Sequence, residues 1–201
     1  YYSGSEIIIW YVDKPIYLRS VKAMTKELSG ISAKLLPGKK RRMRAEWKLI
    51  SKRKPDLLIA LGNFNDLMKF LNYHSGLKIP IFTGHALADS RITKWLKKEI
   101  YTLLRVLTAY PLILENNHPG IILHKKIISE YLPKIKPNRW TIYGHAVAEL
   151  MAEVLNRSGR SLSRKKAIYA AESIKGWKGD IISPLFMDKT NHQALTSLRI
   201  S

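Results

Sequence analysis

The chain has 201 residues, 46% of them hydrophobic and 25% charged, enough to fold as one large domain or two small ones. Its 35 Lys and Arg against 15 Asp and Glu give a formal net charge of +20, a field that attracts nucleic acid, anionic lipid or anionic ligands and says nothing about fold. The absence of cysteine excludes a disulfide scaffold, a Cys nucleophile, a Cys-ligated zinc site and an iron–sulfur cluster, and no apolar run reaches the roughly 18 residues of a membrane span.

Ile7 to Val12 is a continuous β-branched and aromatic run, which predicts a strand buried on both faces. Asp13 is the expected N-cap of the next helix, with Pro15 in its first turn. Ile16, Val21, Met24 and Leu28 mark one face of that helix, and Gly30 stops it. Ile31–Leu36 predicts a second strand, and Arg44–Arg53 a helix with Trp47 and Ile50 inward, ended by Pro55. Asp56–Gly62 predicts a third strand closing on a Gly turn. Leu67, Met68 and Leu71 predict a third helix, ended at Ser75-Gly76, and Ile79–Phe82 a fourth strand followed by Thr83-Gly84-His85. A further helix-then-strand pass covers Asp89 to Leu114, where Tyr110–Leu114 is strand-sized.

Strand–helix alternation with buried strands is the pattern of an α/β parallel sheet with helices on both faces. In open sheets of this kind ligands bind outside the carboxyl ends of the strands. That rim gathers Asp13 to Tyr17, Gly62 to Asn65 and Thr83 to Asp89.

From Glu115 the pattern changes. A turn-rich break, Asn116-Asn117-His118-Pro119-Gly120, leads into helical segments near 120–132, 140–157 and 163–175. Ala146, Val147, Leu150, Met151, Val154 and Leu155 fall on one broad stripe, and Ser163 is a good N-cap. Helices with such apolar faces need a sheet, and these have none of their own. The chain begins at Tyr1 and not at Met, so the expectation is a fragment whose missing segment, before Tyr1, bears that sheet.

Reactive motifs are scarce. No nucleotide-binding Gly pattern, phosphate loop or nucleophile elbow occurs. Ser51-x-x-Lys54 and Ser163-x-x-Lys166 are chance matches to an acyl-enzyme pattern. His145 and Glu149 have metal-compatible helical spacing but no third ligand. The run Lys39–Arg44 has no stacking ring beside it except Trp47, which reads as core, so nucleic-acid binding is the lesser reading. A rim without a reactive group predicts binding without turnover, and no cofactor or metal.

Ala148-Glu149-Leu150, Leu155 to Arg164, Ala171-Glu172-Ser173-Ile174, Ser183-Pro184-Leu185-Phe186 and His192-Gln193 resemble the carboxyl-terminal third of type I periplasmic-binding proteins. More narrowly they resemble the branched-chain amino-acid (Leu/Ile/Val) binding components of ABC transporters. Lys54-Pro55-Asp56 and Gly76-Leu77 fit that family's second lobe. The resemblance implies a second α/β lobe over 1–114, helices returning to the first lobe over 115–178, and a final crossover over 179–201, with the strands of the first lobe missing. It implies hinge closure around a small solute, an amino acid or a related amide or carboxylate, for delivery to a membrane permease, in the periplasm or outside the cell, with the export signal removed.

The family's Asp-x-x-x-Tyr-Gly turn matches Asp13 to Tyr17, with Leu18 in place of the Gly. Its ligand-contacting aromatic matches Asn63-Phe64, and its acidic residue falls near His85. The resemblance thus implies Tyr17 and Phe64 as apolar or π contacts, and Asn63 and His85 as directed hydrogen bonds. A His cannot stand in for a carboxylate facing an ammonium: neutral it carries no charge, and protonated it repels. The expected ligand is therefore neutral or anionic. Two other readings are a polyanion- or nucleic-acid-binding module using Lys39–Arg44, and a truncated, non-functional remnant.

Overall fold

A computed structural model describes residues 6–28, 31–39, 41–73, 76, 78–89, 91–195 and 197–200. Gly30, Lys40, His74, Ser75 and Leu77 lie outside the described residues. The chain divides into two units, Tyr1–Leu107 and Thr108–Ser201.

In the first unit the strands are β1 (Glu6–Val12), β2 (Ser32–Gly38), β3 (Leu57–Leu61), β4 (Ile81–Thr83) and β5 (Leu104–Thr108). They run parallel in the order β2-β1-β3-β4-β5. The register sets Trp10 beside Ala60, and Ala60 beside Thr83. The helices are α1 (Pro15–Glu27), α2 (Met43–Arg53), α3 (Phe64–Asn72), α4 (Ile92–Trp95) and α5 (Lys98–Tyr101). The pleat decides which face each covers. Ile7, Ile9 and Tyr11 point to α1 and pack on Val21, Leu18 and Met24. Trp10 points the other way and stacks on Phe70 of α3 at 3.8 Å, and Phe70 stacks in turn on Trp47 of α2. Helices therefore lie on both faces, as the alternation predicts.

Some local expectations need correction. Lys14, not Asp13, is the N-cap of α1, and no side chain caps that end. The fourth strand starts at Ile81, because Lys78–Pro80 has no strand pairing and Pro80 carries no N–H to give. Tyr110–Leu114 is not a strand: the strand is Leu104–Thr108, and Tyr110 and Ile113 are core residues of the second unit. Lys54 closes α2 in a left-handed conformation (φ 50°), just before Pro55.

The second unit contains α6 (Pro119–Tyr131), α7 (Arg139–Ser158), α8 (Arg164–Glu172), and the antiparallel pair β6 (Lys175–Trp177) and β7 (Leu185–Phe186). Asn138 and Thr141 form a capping box on α7, and Ser163 caps α8 as read from sequence. The expectation that these helices have no strands of their own is corrected in part. Ile174, Leu185 and Met187, in and beside the small pair, pack with Val154 and Ala170. The single stripe read on α7 is split: Ala146 and Val154 are buried, while Val147, Met151 and Leu155 are 43%, 50% and 45% exposed. Trp140 and Tyr143 extend the exposed side.

Candidate functional site

The site is built where β1, β3 and β4 end. These strands are parallel neighbours, so their carboxyl ends meet on one edge of the sheet, and the connections into α1, α3 and the 3-10 turn His85–Leu87 form a rim there. Gly62 makes the exit from β3 possible: a Cβ there would stand 2.9 Å from Val12 Cγ2 and 3.3 Å from Leu67 Cγ.

All four residues expected from the sequence lie on this rim, in four different settings. Tyr17, in the first turn of α1, is half-buried against the cluster of Ile9, Tyr11 and Leu61. Burial first, and then the Asp66 carboxylate, hold its phenol above the ordinary range. Asn63 caps α3: its Oδ1 accepts from the Asp66 N–H at 3.0 Å, and its Nδ2 donates to Asp66 Oδ2 at 2.7 Å. Both ends of the Asn63 amide thus serve the cap. Phe64 is 5% exposed, and the Arg91 guanidinium lies over its ring at 4.3 Å from the centroid. Trp95 closes the other side at 5.9 Å, tilted by 55°. His85 opens the 3-10 turn and is exposed.

Two further groups complete the rim. Thr83, the last residue of β4, is 1% exposed, and its Oγ1 has no hydrogen-bond partner among the described residues. Asp89 is buried and grips Arg91 in a two-point pair: Nε donates to Oδ1 at 2.9 Å and Nη2 to Oδ2 at 2.8 Å, and the Arg91 backbone N–H adds a third bond at 3.0 Å. Asp89 makes the Arg91 proton still harder to lose. The Arg91 side chain remains 51% exposed, so one flank of a fixed guanidinium faces solvent.

Sequence reasoning placed Asp89 on this rim and missed Arg91. The spacing Asp-x-Arg just past a strand end was the available signal: the carboxylate folds back on the backbone N–H two residues on, and the same residue's side chain completes the pair. Chemically the rim offers a fixed cation stacked on aromatic carbon and open to solvent on one flank. That set suits a carboxylate or carbonyl attached to an apolar body.

No family model matches the chain, and no curated protein sequence matches it. Solved structures do. An ABC transporter substrate-binding protein of Aeropyrum pernix superposes with a TM-score of 0.76 at 13% identity, covering 99% of this chain and 56% of its own. An extracellular ligand-binding receptor of Verminephrobacter eiseniae gives 0.78 at 14% identity, covering 98% and 58%. A branched-chain amino-acid ABC transporter protein of Thermus thermophilus, solved with bound valine, gives 0.72 at 15% identity, covering 99% and 57%. The chain thus spans under two thirds of the length of these neighbours. Over that span its parallel sheet and flanking helices follow theirs, and the chain carries a partial type I periplasmic-binding fold.

Proposed function

We propose that the chain is part of a solute-binding component of an ABC importer, one that captures a small solute by closure of two lobes and passes it to a membrane permease outside the cytoplasm. Binding without turnover is the reading. The neighbours are binding proteins, and the rim described above has fixed charge and aromatic surface, with no nucleophile–base pair among its described residues. Residues 1–114 would form the second lobe, 115–178 the helices that return to the first lobe, and 179–201 the last crossover. The exposed apolar side of α7, Trp140, Tyr143, Val147, Met151 and Leu155, is what such helices would lay against first-lobe strands.

One observation carries the choice of ligand: Arg91 is pinned by Asp89, stacked on Phe64, and open on one flank. A carboxylate or amide carbonyl would take that flank, with the solute's apolar part against Tyr17 and the exposed Trp95 ring, and Phe64 beneath as the ring on which Arg91 rests. His85 would add a hydrogen bond, and Asn63 would hold the end of α3 in place.

A thermal-shift panel tests this on the full chain: monocarboxylates, primary amides, a neutral sugar, and the zwitterions leucine and valine. A carboxylate or amide should raise the melting temperature, and Arg91→Ala should abolish the rise. Stabilisation by leucine or valine alone would refute the ligand class.

A further inference from the structure

Helices α2 and α3 cover one face of the first unit's sheet. Each carries a single acidic residue, and both acids point inward: Glu46 accepts from the buried Trp10 Nε1 at 2.8 Å and from the Lys39 backbone N–H at 2.9 Å, and Asp66 is held in the α3 cap. What α2 shows to solvent is cationic. Arg44, Lys48 and Lys52 follow one another at four-residue steps on its outer side, continued by Arg41 and Arg42 at its start, and none of the five has an ion-pair partner among the described residues.

Beside this row lies a shallow hollow of about 370 Å³, between the exposed end of edge strand β2 and α2. Leu36, Pro37, Ala45 and Leu49 supply its aliphatic lining, Lys39 and Arg42 stand at its margin, and the Glu46 carboxylate at its floor is 7% exposed and taken up by the Trp10 and Lys39 N–H groups. Leu49 is 45% exposed in the middle of the cations. Apolar carbon ringed by positive charge matches the boundary of an anionic bilayer, where phosphates and the first methylenes are met together. Nucleic acid fits less well. The aromatic rings of α2 and of the α3 interior, Trp47, Phe64 and Phe70, are all buried, so the cationic row of α2 offers bases no ring of its own to stack on, the exposed Tyr73 standing at the far end of α3, and a phosphodiester backbone has no use for the aliphatic hollow.

We propose that this face, α2 with the hollow beside it, docks on an anionic phospholipid surface. The contact is peripheral: the apolar side of α2 (Met43, Trp47, Ile50) is already committed to the core, so the helix lies on headgroups and does not insert. Docking is therefore sensitive to salt, because exposed charges are screened.

The test is co-sedimentation of the full chain with phosphatidylcholine vesicles and with vesicles containing an equal share of phosphatidylglycerol, at low and high salt. Binding should require phosphatidylglycerol and fall as salt rises. Arg42→Glu with Lys48→Glu should lower the partition coefficient at least about tenfold. Lys22→Glu with Lys26→Glu makes the same change in net charge on α1, across the sheet, and should lower it by less than about threefold. Leu49→Ser alters no charge and should still weaken binding severalfold. Equal loss in the two double variants would assign the effect to net charge and overturn the proposal. So would binding unaffected by both the α2 pair and Leu49→Ser. Tighter binding to single-stranded or duplex DNA than to the anionic vesicles, lost in the α2 pair, would give the face to nucleic acid instead.

Discussion

The Nδ1 atoms of His124 on α6 and His145 on α7 lie 3.2 Å apart, a hydrogen bond between two imidazoles inside the second unit. With the single Thr141 hydroxyl hydrogen assigned to the Asn138 carbonyl, the order of donors in the pair follows. The Thr141 hydroxyl donates to the Asn138 carbonyl at 2.8 Å, so it accepts from His124 Nε2 at 2.9 Å. His124 is then protonated on Nε2, and its Nδ1 accepts from His145. On its far side His145 Nε2 faces Glu149 at 3.6 Å, and Glu149 accepts the Asp180 N–H at 2.9 Å. Through this chain α6, α7 and the loop at Asp180 are joined.

His124 should make the second unit acid-labile. It is 1% exposed, and burial, then His145 and Lys125, push its pKa down from 6.5 to about 4. Between those values the unfolded chain takes up a proton that the folded chain refuses, so stability falls as pH drops through this window and is complete above it. The loss by the acid end should be on the order of 3 kcal/mol. Denaturant unfolding across that range should show the slope, and His124→Gln should flatten it.

The first four strands were legible in the sequence because each is a continuous apolar run or closes on a Gly or Pro signal, and the Trp10 run allowed no helical reading; β5, interrupted by Arg105 and followed by Ala109, has neither mark, and the apolar run at Tyr110–Leu114 stood in its place. The rim followed from topology alone. Arg91 was not legible, because a cation among 35 has no distinguishing mark until its carboxylate and its ring are brought to it through space. The α7 stripe was read at the right period and as too wide: periodicity gives the apolar side of a helix, and only packing divides it between Ala146 and Val154 within and Val147 and Met151 without.

Gly120 and Gly144 should respond to alanine in opposite senses. A Cβ on Gly120 would sit 2.3 Å from the Asp180 carbonyl oxygen and 2.5 Å from Ile181 Cγ2, so Gly120→Ala must push the loop off α6 and should cost about 2 kcal/mol or more. Gly144 lies in the exposed interior of α7, and a Cβ there meets nothing within 4 Å. Gly144→Ala should therefore stabilise by about 0.5–1 kcal/mol. Thermal melts of the two variants decide the matter.

The Glu46 carboxylate ties β1 to the start of α2. Glu46→Leu leaves the Trp10 indole N–H and the Lys39 backbone N–H buried or half-buried without their acceptor, and should cost about 2–4 kcal/mol. Glu46→Gln keeps one acceptor oxygen and should cost about half as much. Trp10 sits against Phe70, so the loss should also be visible as a change in tryptophan emission at low denaturant.

At the rim, Arg91→Lys separates charge from geometry. Lysine keeps the positive charge beside Asp89 and loses both the two-point fork and the stack on Phe64. The stability change should stay near 1 kcal/mol, since the guanidinium is half-exposed and solvent screens the pair. Carboxylate binding should fall much further, by about tenfold or more, because a planar acceptor needs two donors held in one plane. Arg91→Ala should lose binding altogether, and with it the Asp89 contact. If titration of the panel's carboxylates gave Arg91→Lys an affinity equal to that of the unmodified chain, Arg91 would act only as a diffuse charge, and the solute's grip would have to come from His85.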